Sequence, residues 1–187
     1  MNDDFPAGSP SGNGHAYRAY LESAHTLLAG LTVADYYSAA LPSPTDDALA
    51  EVVSAYTGWP PPLRKRFVDS LPQDKSGLFA IFGHRAATLA VRESDPDRLR
   101  LGLIGNAIAN THIPPNRNVD AALAVFYHCA RKLEIDPAIL FDEVAPFAAE
   151  DMAERLRAFG QREGVTLTKF GWREIRTPDG VRYKFEW

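Results

Sequence analysis

The sequence predicts a mainly α-helical chain that ends in a C-terminal β-hairpin. Three observations lead there. Apolar residues recur at three- and four-residue steps through most of residues 45–162, the period of a helix with one buried face. Two Asp-Pro pairs, Asp95-Pro96 and Asp136-Pro137, each precede such a run. There Asp caps and Pro fits the first turn, where its missing N–H costs nothing. After residue 164 the period becomes two, with Val181, Tyr183, Phe185 and Trp187 on one face and Arg182, Lys184 and Glu186 on the other.

Residues 1–14, rich in Gly, Ser, Pro and Asn, are expected to form a flexible tail, because they bury too little apolar surface to offset ordering entropy. A helix is expected over 16–28, with Tyr17, Tyr20, Leu21, Ala24 and Leu28 on one side, and a short one over 33–41. Pro42 and Pro44 then break the chain. Thr45 is the expected cap of the next helix. Asp46 and Asp47 suit its positive end, and Leu49, Val52, Val53 and Tyr56 form its stripe. Gly58 and Pro60-Pro61-Pro62 end it. Leu63, Phe67 and Leu71 mark a short helix over 63–71.

Asp74 or Ser76 opens a long helix to residue 93, with Leu78, Phe82, Ala86 and Leu89 as its stripe. The helix over 95–110 carries Leu101, Ile104 and Ile108 on one face. Leu99, Leu103, Asn106 and Asn110 line another. Gly102 and Gly105 cost that helix about 1 kcal/mol each relative to Ala. A close approach by a neighbouring helix is the expected reason for them. A loop containing Pro114-Pro115 follows, and Asn118 is the expected cap of a helix over 118–133 with stripe Val119, Leu123, Phe126, Ala130 and Leu133. The helix opened by Asp136-Pro137 must stop or kink near Pro146. A last helix over 150–162 has Met152, Leu156 and Phe159 inside. Hairpin strands are expected at 172–177 and 181–186 around Thr177-Pro178-Asp179-Gly180, with a third strand possible at 165–170.

The chain of 187 residues suits one domain. The expected division is 1–14 tail, 15–163 helical array, and 164–187 hairpin cap packed on the array. A net charge of -4 argues against a broad nucleic-acid surface. The single cysteine, Cys129, allows no internal disulfide and suits a reducing compartment. No apolar run reaches the roughly 18 residues of a membrane span, and the N-terminus lacks a signal-peptide core. A cytoplasmic location is expected. The excess of Arg over Lys and the abundant Ala fit a GC-rich bacterial source.

Residues 80–86, AIFGHRA, and 124–130, AVFYHCA, share the pattern A-[IV]-F-x-H-x-A, 44 positions apart. In each, the histidine lies about 160° around the helix from the phenylalanine, on an alanine-rich side. The repeated layout resembles HEAT-like α-helical repeats, whose period is roughly 40–47 residues. The resemblance implies stacked antiparallel helix pairs, a non-catalytic scaffold and a protein partner. It covers residues 76–147. His84 and His128 then read as framework residues, partly exposed or hydrogen-bonded, because no third ligand stands at i+4: Thr88 and Lys132 occupy those places.

Cys129 points away from His128 and reads as a packing residue. The acids Asp142, Glu143, Glu150, Asp151 and Glu154 read as a solvated face. No cofactor motif is present and no cofactor is expected. Candidate binding residues are Asn106, Asn110, His112, Asn116 and Arg117, which would line a polar groove. Trp172 and Arg176 on the hairpin join them. The functional expectation is a cytosolic protein-binding scaffold or a regulatory, immunity-like module. The alternative is a small enzyme whose site does not show in sequence.

Overall fold

A computed structural model describes residues 11–111, 117–167, 171–178 and 180–186. The chain divides into two compact units, residues 1–31 and 32–187. The first holds helix α1, Ser11–Ala29. It begins five residues before the expected start at residue 16, so part of the expected tail is helical; residues 1–10 lie outside the described residues.

In the second unit, Thr32 caps α2, Val33–Ser38, by accepting the Asp35 N–H at 3.1 Å. Helix α3, Pro44–Gly58, starts from Ser43 rather than Thr45. The reason is a capping box: the Asp46 carboxylate reaches back to the Ser43 N–H at 2.7 Å. Helix α4, Pro61–Ser70, begins within the triple proline. Helix α5, Gln73–Glu93, ends at Ser94, which turns left-handed at φ 55°.

Asp95 caps α6, Pro96–Asn110, by accepting the Arg98 N–H at 3.0 Å. Helix α7 is Arg117–Lys132, one residue ahead of the expected Asn118 cap. Asp136 caps α8, Pro137–Val144, through the Ala138 N–H at 2.9 Å. Pro146 sits in a 3₁₀ turn, Ala145–Phe147, which leads to α9, Glu150–Gly160. Strands β1, Gly171–Thr177, and β2, Gly180–Glu186, pair antiparallel with Trp172 opposite Phe185. Residues 165–167 of the proposed third strand have no regular structure, and 168–170 lie outside the described residues.

The predicted stripes are inside: Leu78, Phe82, Ala86 and Leu89 of α5, and Val119, Leu123, Phe126 and Ala130 of α7, are all buried. Each large apolar side chain so buried contributes about 1.5–3 kcal/mol. The α5–α6 contact is the most extensive between helices among the described residues. A Cβ on Gly83 would stand 2.8 Å from the Gly102 carbonyl oxygen, one on Gly102 2.9 Å from the Gly83 oxygen, and one on Gly105 2.7 Å from Phe82 Cδ1. The expected close approach at Gly102 and Gly105 is therefore present, with Gly83 as its counterpart.

The fold class is mainly α, and its finer form needs correction. A HEAT-like array closed by a hairpin cap is not what the chain builds. In such an array each pair meets only its neighbours, first helix on first and second on second. Here α5 and α6 form a central hairpin that other helices surround. Helix α2 packs on α5, while α3 and α7 each pack on both α5 and α6. Helix α4 sets Phe67 edge-on against Phe79 of α5, with ring centroids 6.0 Å apart, where stacking would place it on α6. The glycine-lined contact explains this: it lets one pair become the axis on which α2, α3 and α7 pack. Strand β2 lies against α2. Among the described residues no helix is long and apolar enough to cross a membrane.

Candidate functional site

The residues proposed from sequence are dispersed or only partly described. Asn106 is buried in α6. Asn110, a turn later, donates to the Asn106 main-chain oxygen at 2.8 Å and to its side-chain oxygen at 3.2 Å. These two asparagines therefore engage each other within the helix. His112 and Asn116 lie outside the described residues. Arg117 opens α7 and Trp172 and Arg176 belong to β1, but their side chains fall outside the described ones.

The two histidines differ. His84 is only 6% exposed and stacks on Phe126 with ring centroids 6.0 Å apart. It is neither partly exposed nor at the surface, as the alanine-rich side had suggested, because α7 closes over that side. Burial pushes its imidazole down to about 4, so it is neutral at pH 7. His128 is half-buried and bonds through Nε2 to the Val165 carbonyl at 2.8 Å. Since a carbonyl only accepts, Nε2 carries the proton. The imidazoles do not converge. Burial pushes the Cys129 thiol up to about 11, which keeps it protonated and unreactive.

A buried polar cluster that sequence reasoning missed lies at the α3–α5 contact. Arg85, fully buried, donates from Nε to Asp46 Oδ1 at 2.6 Å and from Nη2 to Oδ2 at 2.7 Å. It also donates to the carbonyls of Ala39, at 3.0 Å, and Ala40, at 2.6 Å. The Tyr36 hydroxyl donates to Asp46 Oδ1 at 2.7 Å. Burial alone would raise the Asp46 carboxyl, but the hydrogen bonds from Arg85 and Tyr36 outweigh it and hold the group below the usual carboxylate range. Burial, then the adjacent Asp46 charge, holds the Tyr36 phenol far above its ordinary value. These hydrogen bonds all close inside the fold, so the cluster fastens residues 39–46 to α5. One hint was available: Arg85 interrupts an otherwise apolar or small stretch of α5.

An open cleft of about 490 Å³ lies elsewhere among the described residues. One wall comes from α3 and α4: Tyr56, Pro61, Arg64, Lys65 and Val68. The opposite wall is the chain from the 3₁₀ turn into α9, Pro146 to Asp151, and Thr111 also reaches it. Tyr56 joins the walls by donating its hydroxyl to the Phe147 carbonyl at 2.7 Å. Burial pushes that phenol up to about 12, against the opposing pull of the Arg64 charge. The Arg64 guanidinium lies 5.1 Å from the Phe147 ring centre and 5.9 Å from that of Tyr56. Lys65 is tied to Asp69 on the next turn of α4. The Thr111 hydroxyl is committed to the Ala107 carbonyl at 3.0 Å.

The acids read as a solvated face are all exposed, as expected. Glu143 pairs with Arg100 at 2.7 Å and Asp142 with Arg157 at 3.2 Å, whereas Glu150 and Asp151 line the cleft. Among the described residues no group of three or more His, Cys, Asp or Glu side chains is placed to hold a metal ion. Compared with known proteins, the chain matches no family model, no curated protein and no solved structure.

Proposed function

We propose that the chain is a non-catalytic, cytoplasmic protein-binding module of a regulatory, immunity-like kind, and that the α4–α9 cleft is its docking groove. The observation that carries this reading is the make-up of the cleft. Its hydroxyls, on Tyr56 and Thr111, are already bonded to main-chain oxygens. Its remaining lining combines apolar side chains with five charged ones, Arg64, Lys65, Asp69, Glu150 and Asp151. Such a surface offers contact area and anchoring charge rather than a nucleophile beside a base. The titratable groups that burial perturbs most, at Tyr36 and His84, sit in packed surroundings instead.

A photo-reactive amino acid at position 65, on the exposed rim, tests the reading in the native cell. One discrete adduct is expected, lost on Ala149→Arg, which crowds the groove from an exposed position. The same label at Ile139, exposed on α8, should give none. Equal labelling from both positions, or none from position 65, overturns the proposal. The alternative, a small enzyme, draws on the cleft's volume, which lies within the ~300–1,000 Å³ of small-molecule sites.

A further inference from the structure

We infer that the groove recognises a carboxylate: its occupant is a partner segment presenting a glutamate or aspartate side chain between apolar residues, and Arg64 receives it. This rests on the docking-groove reading and adds the chemistry of the partner.

Arg64 is half-buried in the wall of the cleft. Its guanidinium faces the Phe147 ring at 5.1 Å and the Tyr56 ring at 5.9 Å. Among the described residues it makes no ion pair with a carboxylate. Ring contacts of this kind spend no guanidinium N–H on a conventional hydrogen-bond acceptor. Those N–H groups match a carboxylate through two parallel hydrogen bonds. The arginine is also preorganised, because the Tyr56 hydroxyl bond holds the Phe147 main chain beneath it. Ordering a long side chain before binding lowers the entropic cost of gripping a ligand.

The other charges narrow the choice. Lys65 pairs with Asp69, which also lines the cleft, so among the described lining residues Arg64 is the cation without a carboxylate partner. Glu150 and Asp151 stand on the opposite wall, in the first turn of α9, where they complement the positive helix end. With Asp69 they make the cleft unfavourable for a phosphate chain or any ligand of high negative charge. A single carboxylate paired directly with Arg64 meets the least of that repulsion. The apolar lining, from Pro61 and Val68 on one side and Phe147 and Ala148 on the other, suits flanking aliphatic side chains.

The test titrates the full chain with acetyl-Leu-Ala-Glu-Ala-Leu-amide, its glutamine analogue and its phosphoserine analogue. The Arg64 side-chain N–H and the amides of residues 147–151 are followed by NMR. The glutamate peptide should bind at least ten-fold more tightly than the other two. Arg64→Gln should level the glutamate and glutamine peptides while leaving the backbone spectrum intact. Arg64→Lys should lose most of the preference, since it keeps charge but not the forked geometry. Equal affinity of the glutamate and glutamine peptides, with shifts in the cleft, would overturn carboxylate recognition and leave the groove standing. Tighter phosphoserine binding, or no shift at the cleft from any peptide, would also overturn it. The groove itself stands or falls on the cross-linking at position 65.

Discussion

Phe82 and Phe126 hold the third place in the two echoed stretches, and both are fully enclosed. The positions around them diverge. Gly83 brings α6 to within touching distance, whereas Tyr127 sends its hydroxyl to the Arg162 carbonyl at 2.9 Å. His84 is sealed against Phe126, while His128 holds the Val165 carbonyl. Arg85 fastens the α3 cap to α5, and Cys129 rests inert at the edge of the core. The shared pattern therefore records a shared requirement, one buried aromatic per helix at a given phase. The residues between are set by whatever neighbour each helix meets.

Substitution at matched positions sharpens this contrast. Arg85→Met should have the largest effect. It leaves the Asp46 carboxylate buried without its cation, which costs about 3–5 kcal/mol. Cys129→Ala, at the matching place, should cost about 1 kcal/mol. Urea unfolding of both variants checks the gap, and equal losses would mean that the two positions do the same work.

The histidines should separate next, by pH. The folded pKa of His84, about 4, lies below its ordinary 6.5. Between those values the unfolded chain takes up a proton that the folded chain refuses, so stability rises with pH in that window. It should fall by about 3 kcal/mol on acidification from pH 6.5 to 4. Subtracting the His84→Gln stability curve from that of the parent isolates this slope. A flat difference would show that His84 is not sealed.

Gly83→Ala should follow, at about 1–3 kcal/mol, because the new methyl meets main-chain oxygen that cannot rotate away. Tyr127→Phe, its counterpart, should cost only about 0.5–1 kcal/mol, the loss of one exposed hydrogen bond. Thermal melts of the pair measure both, and a reversed order would mean that the α5–α6 approach is loose enough to admit a methyl group.

Much of the helical framework was legible in the sequence. The stripes of α5 and α7 are buried as their spacing requires. Asp95 and Asp136 cap the helices that their Asp-Pro pairs announce, and Gly102 and Gly105 meet the close neighbour that their cost demanded. A period identifies the face a helix hides, but not the helix that hides it. That is why a repeat of 44 residues suggested stacked pairs when the helices wrap one central hairpin. Long-range polar partners were equally out of reach. Asp46 read as an ordinary helix-start acid, yet its carboxylate answers an arginine 39 residues away. The cleft was invisible for the same reason: Arg64 sits beside the Leu63–Phe67 stripe and Phe147 in a proline-broken turn, and only folding brings them together.

The three glycines between α5 and α6 leave no side-chain cushion at that contact, so the two helices can part only by moving as whole rods. Amide protons along Phe79–Ala87 and Leu99–Ala109 then have no small local fluctuation through which to reach solvent. Their exchange must wait for the entire unit to open, which makes this seam the clock against which every looser segment of the chain can be timed.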